Sequence, residues 1–168
     1  MSLEEKKALA TEIQPLPQQQ LYFSGIRYKN IYPLSSIVPN INTDTQVVLV
    51  TGIANAAPLI KHLQNDFADV FHLEFKDHHY YTYDDLKEIQ EAFANMPTTN
   101  KILVTTEKDA SRLMLLQDKI LEYQLPFFAQ AIGVEILFDE DAQFNTEIRN
   151  FVYGYIPPIL EEVSEIEV

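Results

Sequence analysis

Val47-Val48-Leu49-Val50-Thr51-Gly52-Ile53-Ala54-Asn55 decides the fold of this chain. An unbroken apolar run such as 47–51 marks a strand buried on both faces, as in parallel sheets. A glycine follows, then Asn55, which can cap a helix, and Pro58, which a first helical turn tolerates. Leu59, Ile60 and Leu63 recur at helical spacing on one face. The same strand–turn–helix unit returns twice. Residues 70–75 are a second apolar run, and Thr82-Tyr83-Asp84-Asp85 opens a helix carrying Leu86, Ile89 and Phe93. Residues 102–105 are a third run. Thr106 caps the helix after it, with Asp109 at its third position and Ala110, Leu113 and Met114 facing inward. Strands alternating with helices predict an α/β fold, a small mainly parallel sheet flanked by helices.

On the amino-terminal side, residues 3–13 predict a short amphipathic helix stopped by Pro15 and Pro17. Residues 21–28 and 31–34 are β-like, and Lys29-Asn30 between them predicts a tight hairpin, hence a two-stranded antiparallel ribbon. Residues 35–46, rich in Ser, Asn, Thr and Asp, form a linker. On the carboxyl-terminal side, 129–138 predicts a strand pair or one strand bent at Gly133. Phe144, Ile148, Phe151 and Val152 predict a last helix. The expected organisation is 1–46 as helix, ribbon and linker, 47–156 as the α/β domain, and 157–168 as an acidic tail. Three or four strands make a small parallel sheet, the size of part of a larger protein.

Composition narrows the function classes. The 168 residues are 46% hydrophobic, enough for one core, and the net charge is −13. Such a surface repels nucleic-acid phosphates, and no basic cluster offsets it. Without cysteine there are neither disulfides nor thiolate metal sites, which fits a reducing compartment. No apolar run approaches the ~18 residues of a membrane span, and the first residues lack the apolar stretch of a signal peptide.

Three stretches fall at the carboxyl ends of the expected strands, where open α/β sheets bind ligands: 51–55, Asp77-His78-His79, and Thr105-Thr106-Glu107-Lys108-Asp109-Ala110. A carboxylate and two imidazoles on one loop suit proton transfer or metal binding. Adjacent side chains on a loop point apart, so His78 and His79 are not expected to share one ion; the alternative to a functional loop is that His79 packs with Tyr80 and Tyr81 and only one His is exposed. Lys108 opposes the helix dipole at a cost of roughly 0.3–1 kcal/mol. It either meets an anion with Arg112 or is neutralised by Glu107 and Asp109. His62 is expected on a solvated helix face and His72 in a structural role. The four glycines, Gly25, Gly52, Gly133 and Gly154, lie far apart, so the sequence holds neither G-x-x-x-x-G-K-[ST] nor G-x-G-x-x-G.

In their order and spacing, Thr51-Gly52-Ile53-Ala54-Asn55, Phe75-Lys76-Asp77-His78-His79-Tyr80 and Thr105-Thr106-Glu107-Lys108-Asp109-Ala110-Ser111-Arg112-Leu113 resemble the carboxyl-terminal half of the tetraacyldisaccharide 4'-kinases. Leu125-Pro126-Phe127-Phe128-Ala129 resembles that family's last strand, and 21–34 is similar to the two-stranded linker between its halves. The resemblance covers 47–138. It implies half of a P-loop kinase-like fold from an enzyme of lipid A biosynthesis. That enzyme moves the γ-phosphoryl of ATP, with Mg²⁺, to the 4'-hydroxyl of tetraacyldisaccharide 1-phosphate, the lipid A precursor, at the cytoplasmic face of the bacterial inner membrane. It further implies Asp77 and His78 as catalytic residues, and His79, Thr106, Lys108 and Arg112 along the substrate or phosphate cleft. The phosphate loop and the Mg²⁺ ligands belong to the amino-terminal half, so this stretch alone is expected to be a soluble, inactive part that binds no cofactor by itself.

Two other classes compete. Asp-His-His also occurs in metal-dependent phosphoesterases, but these need further upstream Asp clusters, and Asp44 is the only acidic residue between Glu12 and Asp66. An acidic α/β interaction module with incidental histidines is the third reading.

Overall fold

The computed structural model describes residues 1–154. The acidic tail expected over 157–168 lies outside the described residues. The elements in chain order are α1 (Leu3–Ile13), β1 (Ser24–Pro33), β2 (Gln46–Thr51), α2 (Ala57–Asp66), β3 (Asp69–Glu74), α3 (Tyr83–Asn95), β4 (Lys101–Thr106), α4 (Glu107–Leu113), α5 (Gln117–Glu122), β5 (Phe127–Ile136) and α6 (Asp141–Gly154). The described residues pack as two compact units, one from 1–26 with 134–154 and one from 27–133. The boundary expected from composition at 46–47 falls within the second.

The unit 27–133 carries the sheet, whose strand order is β1-β5-β4-β2-β3. β2 pairs parallel with both β3 and β4, and β4 pairs parallel with β5. Both faces are covered. Val48, Val50, Leu103 and Phe127 pack with Leu86 and Ile89 of α3, Leu113 of α4 and Ile120 of α5. Val47, Leu49, Ile102, Val104 and Phe128 pack on the other face against Leu59 and Leu63 of α2. Each fully buried side chain of this size contributes about 1.5–3 kcal/mol of hydrophobic stabilisation before conformational entropy is charged.

Strands that are apolar on both faces have no preferred face, so hydrophobicity alone does not fix their register. Polar contacts fix it here. At the amino edge Asn100 accepts from the Thr45 hydroxyl (2.9 Å) and donates to Asn42 (3.0 Å). At the carboxyl edge a buried aspartate plays the same part, as described below. From β2 the chain crosses outward to β3 and then returns past β2 to β4, continuing away to β5. The direction of winding reverses between β2 and β4, which makes their carboxyl ends the switch point where α/β sheets form a ligand crevice.

The hairpin expected at Lys29-Asn30 is absent. β1 runs straight through it as one ten-residue strand. An antiparallel ribbon does exist, formed by β1 with β5: Leu34 N–H donates to the Phe127 carbonyl at 2.8 Å. The ladder to a strand about 100 residues away supplies the backbone partners that a local turn would have supplied. Of the two alternatives for 129–138 the single strand holds, as β5 over 127–136, and the sheet has five strands rather than three or four. Asn55 sits one residue before the α2 cap. It accepts from the Ala57 N–H (3.0 Å), so the helix begins from an Asx turn rather than from an Asn cap. Thr82 and Asp85 form a reciprocal capping box on α3 as their spacing predicts.

In the other unit, Ser2 and Glu5 form a capping box on α1, and Lys6 pairs with Glu140 beneath the Phe138 ring. Tyr22 meets Phe144 edge-on, and Phe23 meets Phe138 the same way. Among the described residues no helix is long and apolar enough to cross a membrane.

Candidate functional site

The three strand-end stretches converge on the β2–β4 switch point. β2 ends at Thr51, and Gly52 turns the chain beneath the 76–79 loop. A side chain at Gly52 would place its Cβ 2.9 Å from the Lys76 carbonyl oxygen, 3.1 Å from the His79 Cβ and 3.3 Å from Asp109 Oδ1. The glycine is there for this close approach, not for a positive φ. Its N–H donates to Asp109 Oδ2 (3.0 Å), and its carbonyl accepts from the His78 N–H (3.0 Å).

His78 adopts the left-handed conformation (φ 61°). For a residue other than glycine this costs about 1–2 kcal/mol, and strain of this kind concentrates at functional loops. The turn throws its imidazole into solvent, where its side chain is 67% exposed. Two cations of α4 flank the ring, Lys108 from its first turn and Arg112 from its last. Lys108 Nζ lies 3.4 Å from Nε2, and an Arg112 guanidinium nitrogen lies 3.4 Å from Nδ1. A neutral imidazole has one acceptor nitrogen, so the two donors compete for it. Lys108 also reaches Asp77 at 3.4 Å. Partial desolvation pushes the Asp77 carboxyl up, but the Lys108 hydrogen bond and the charges of His78 and Lys108 outweigh it and hold it below the usual carboxylate range.

His79 points the other way. Its ring stacks on Phe75, meets Tyr81 edge-on and bonds Asp85 at 3.0 Å. Asp85 also accepts from the Thr82 N–H and hydroxyl, so one carboxylate ties the loop to the α3 cap. Desolvation alone would raise the Asp85 carboxyl; the bonds from His79 and Thr82 bring it below its ordinary value. Tyr81 is buried under the loop, and burial first and the Asp109 charge second push its hydroxyl above the ordinary range. Thr106 spends its hydroxyl on Asp109, accepting from its N–H (3.0 Å) and donating to Oδ2 (2.8 Å).

Asp77, His78, Lys108 and Arg112 are therefore brought together at the surface, while His79 and Thr106 act within the packing that holds them. His72 bonds Thr51 inside the sheet (2.8 Å), a structural role as its spacing predicts. His62 is not the solvated side chain its neighbours suggested: it stacks face to face on Tyr28 with centroids 4.2 Å apart. Sequence reading placed Asp109 only as a helix-start residue. In fact it has no exposed surface and binds Gly52, Thr106 and Arg112 at once. Its third-position spacing after Thr106 was the signal; the partner 57 residues away was not visible.

Among the described residues no three His, Asp or Glu side chains converge to hold a metal ion. Asp44 precedes β2 at the amino edge, across the sheet from Asp77, so the two do not form a metal-bearing phosphoesterase cluster. A nucleotide-bound Mg²⁺ is not matched by this donor set.

Residues 4–153 match the family model of tetraacyldisaccharide-1-P 4'-kinase. The tetraacyldisaccharide 4'-kinase of Bacteroides thetaiotaomicron is 38% identical over 150 residues, which span 81% of this chain and 39% of that enzyme. That of Phocaeicola vulgatus is 34% identical over 156 residues, 87% of this chain and 41% of the relative. The chain thus spans about 40% of the length of the curated relatives it matches. Among solved structures, LpxK from Aquifex aeolicus in complex with ATP is similar at 17% identity and a TM-score of 0.45, over 84% of this chain and 40% of that one.

Proposed function

Since the chain belongs to the tetraacyldisaccharide-1-P 4'-kinase family over residues 4–153, we propose that it is the carboxyl-terminal part of an ATP-dependent lipid kinase. The acceptor is the 4'-hydroxyl of a tetraacyldisaccharide 1-phosphate, the lipid A precursor, and the site of action is the cytoplasmic side of the inner membrane. The remaining length of the relatives, about 60% of each, would supply the phosphate loop and the Mg²⁺ ligands.

One observation carries the reading: an exposed imidazole held between Lys108 and Arg112 at the sheet's switch point, on a chain whose net charge is −13. Phosphoryl transfer needs groups positioned around an anion and one group to take or orient the hydroxyl proton. Lys108 and Arg112 attract the anion. The Asp77 carboxylate that an anion must displace from Lys108 is exposed, and exposed pairs are weak. His78 handles the acceptor proton together with an acidic residue of the rest of the enzyme, and Asp77 orients the imidazole. His79 and Thr106 serve the cleft by fixing the loop and the α4 cap.

The test is a chimera in which residues 4–153 replace the matching region of the Bacteroides thetaiotaomicron relative. It should transfer ³²P from γ-labelled ATP to tetraacyldisaccharide 1-phosphate. The chain by itself should not, because its scattered glycines cannot array backbone N–H groups around a triphosphate. A folded but inactive chimera, or turnover by this chain alone, would overturn the proposal.

A further inference from the structure

We infer that Asp109 is the positioning residue of this site, a single buried carboxylate that holds His78 by two routes at once. The inference deepens the kinase reading, in which His78 is the proton-handling group, and it can be tested apart from it.

The first route runs through the backbone. Asp109 Oδ2 accepts from the Gly52 N–H at 3.0 Å, and the Gly52 carbonyl accepts from the His78 N–H at 3.0 Å. The carboxylate therefore fixes Gly52 on its N–H side, and the carbonyl of the same residue pins His78 in its left-handed conformation. The second route runs through the ring. Asp109 Oδ1 accepts from Arg112 at 3.2 Å, and the other terminal nitrogen of that guanidinium lies 3.4 Å from His78 Nδ1. Because the guanidinium is planar, fixing one of its nitrogens on Asp109 fixes the direction of the other. The two routes leave from different oxygens of one carboxylate and reach different ends of one residue.

Nothing else near the loop does this. Lys108 approaches the ring from a half-exposed, flexible stem, and its own anchor is the exposed Asp77. Asp109 has no solvent-accessible surface, and its remaining contact, the Thr106 hydroxyl, is local to its own helix turn. An asparagine at this position keeps the size but has one acceptor oxygen. It cannot accept from both Gly52 and Arg112, and its amide N–H₂ turns a donor toward one of them. An aspartate chosen only for capping α4 would not need its second oxygen.

The experiment follows the four histidine rings of the isotope-labelled chain 1–168 by long-range ¹H–¹⁵N correlation, and the Gly52 and His78 amides by hydrogen exchange. In the wild-type chain the His78 amide, although on an exposed loop, should exchange about tenfold or more slowly than that of Tyr80. Asp109→Asn should move the His78 ring signals and speed exchange at Gly52, His78 or both by about tenfold, with His62 unmoved. Arg112→Met removes the ring route and leaves the two hydrogen bonds of the backbone route in place; its side chain is partly exposed, so it tests the inference even if Asp109→Asn does not fold. It should move the His78 ring signals and leave both amides within about twofold of wild type.

Unmoved His78 ring signals in Arg112→Met would overturn the inference, as would unchanged Gly52 and His78 amides in a folded Asp109→Asn. In the chimera, Asp109→Asn should lower kcat with little change in KM. An active chimera indifferent to Asp109→Asn removes the positioning role and leaves the kinase reading standing. An inactive chimera with the spectroscopic pattern above supports the positioning role and removes the kinase reading.

Discussion

Gly52→Ala tests whether the crevice is as tightly built as its contacts say. Gly52 is buried and its φ is negative, so alanine fits the backbone. On entropy alone the substitution should stabilise the chain by about 0.4–1 kcal/mol, because the unfolded state loses freedom. The space argues the other way. The new methyl would meet the Lys76 carbonyl oxygen at 2.9 Å and the His79 Cβ at 3.1 Å. Neither can swing aside: the Lys76 carbonyl accepts from the His79 N–H (3.0 Å), and His79 is fixed on Asp85. The 76–79 loop must therefore lift by several tenths of an ångström. Overpacking of this kind costs typically about 1–3 kcal/mol. Taking about 2 kcal/mol against about 0.7 leaves a net loss of roughly 1.3 kcal/mol. With a urea m-value of about 2 kcal/mol/M, the unfolding midpoint should fall by about 0.7 M. Circular dichroism and tyrosine fluorescence should be followed together, so that coincident transitions establish two-state behaviour. A midpoint unchanged or raised at equal m would mean that the loop has slack. The close-approach account of Gly52, and with it the rigid seating of His78, would then fail.

The acid limb offers a second test. The Asp85 carboxyl is held below its ordinary value in the folded chain, so near pH 4 the unfolded state binds more protons and stability rises with pH through that window. The extra stability of wild type over Asp85→Asn should be complete at about pH 5.5 and shrink as pH falls through and below the ordinary carboxylate range; a gap independent of pH in urea melts would refute the ionic role. In the chimera, His78→Ala should lower kcat by about 10²–10⁴-fold, the range of a general acid–base group. His62→Ala should leave kcat near wild type and show instead a small loss of stability from the broken Tyr28 stack. Steady-state rates for the pair decide the assignment, and equal rates would end it.

What the sequence made legible were features whose causes are local. Burial on both faces writes a strand as an unbroken apolar run, so β2, β4 and their helices could be read directly. The Thr82–Asp85 box could be read because cap and partner lie three residues apart. What escaped has causes that are distant. Lys29-Asn30 has turn chemistry, but its backbone partners lie on β5 about 100 residues on, and the ladder outcompetes the turn. His62 sits among polar neighbours on its own helix, and only the fold brings Tyr28 over its ring. In the site, Asp77, His78, Lys108 and Arg112 were visible as residue types at strand ends. Asp109 was visible only as a helix-start acid, because Gly52 lies 57 positions earlier in the chain.

The same distance explains why stability and site geometry are hard to separate in this fold. Central strands that are apolar on both faces slide without exposing polar groups, so their alignment rests on polar contacts at the two ends of the sheet. At the amino edge Asn42, Thr45 and Asn100 provide it, at the opposite end of the strands from His78. At the carboxyl edge Asp109 and Gly52 provide it, and Gly52, whose N–H locks β2 to the start of α4, seats His78 through its carbonyl. A change that frees His78 through Asp109 must therefore loosen β2 against β4, whereas a change at Asn100 should loosen the sheet and leave the His78 ring where it is. A switch-point crevice gains a rigid reacting group this way without a dedicated scaffold, because the register lock and the positioning contact meet at one residue, Gly52.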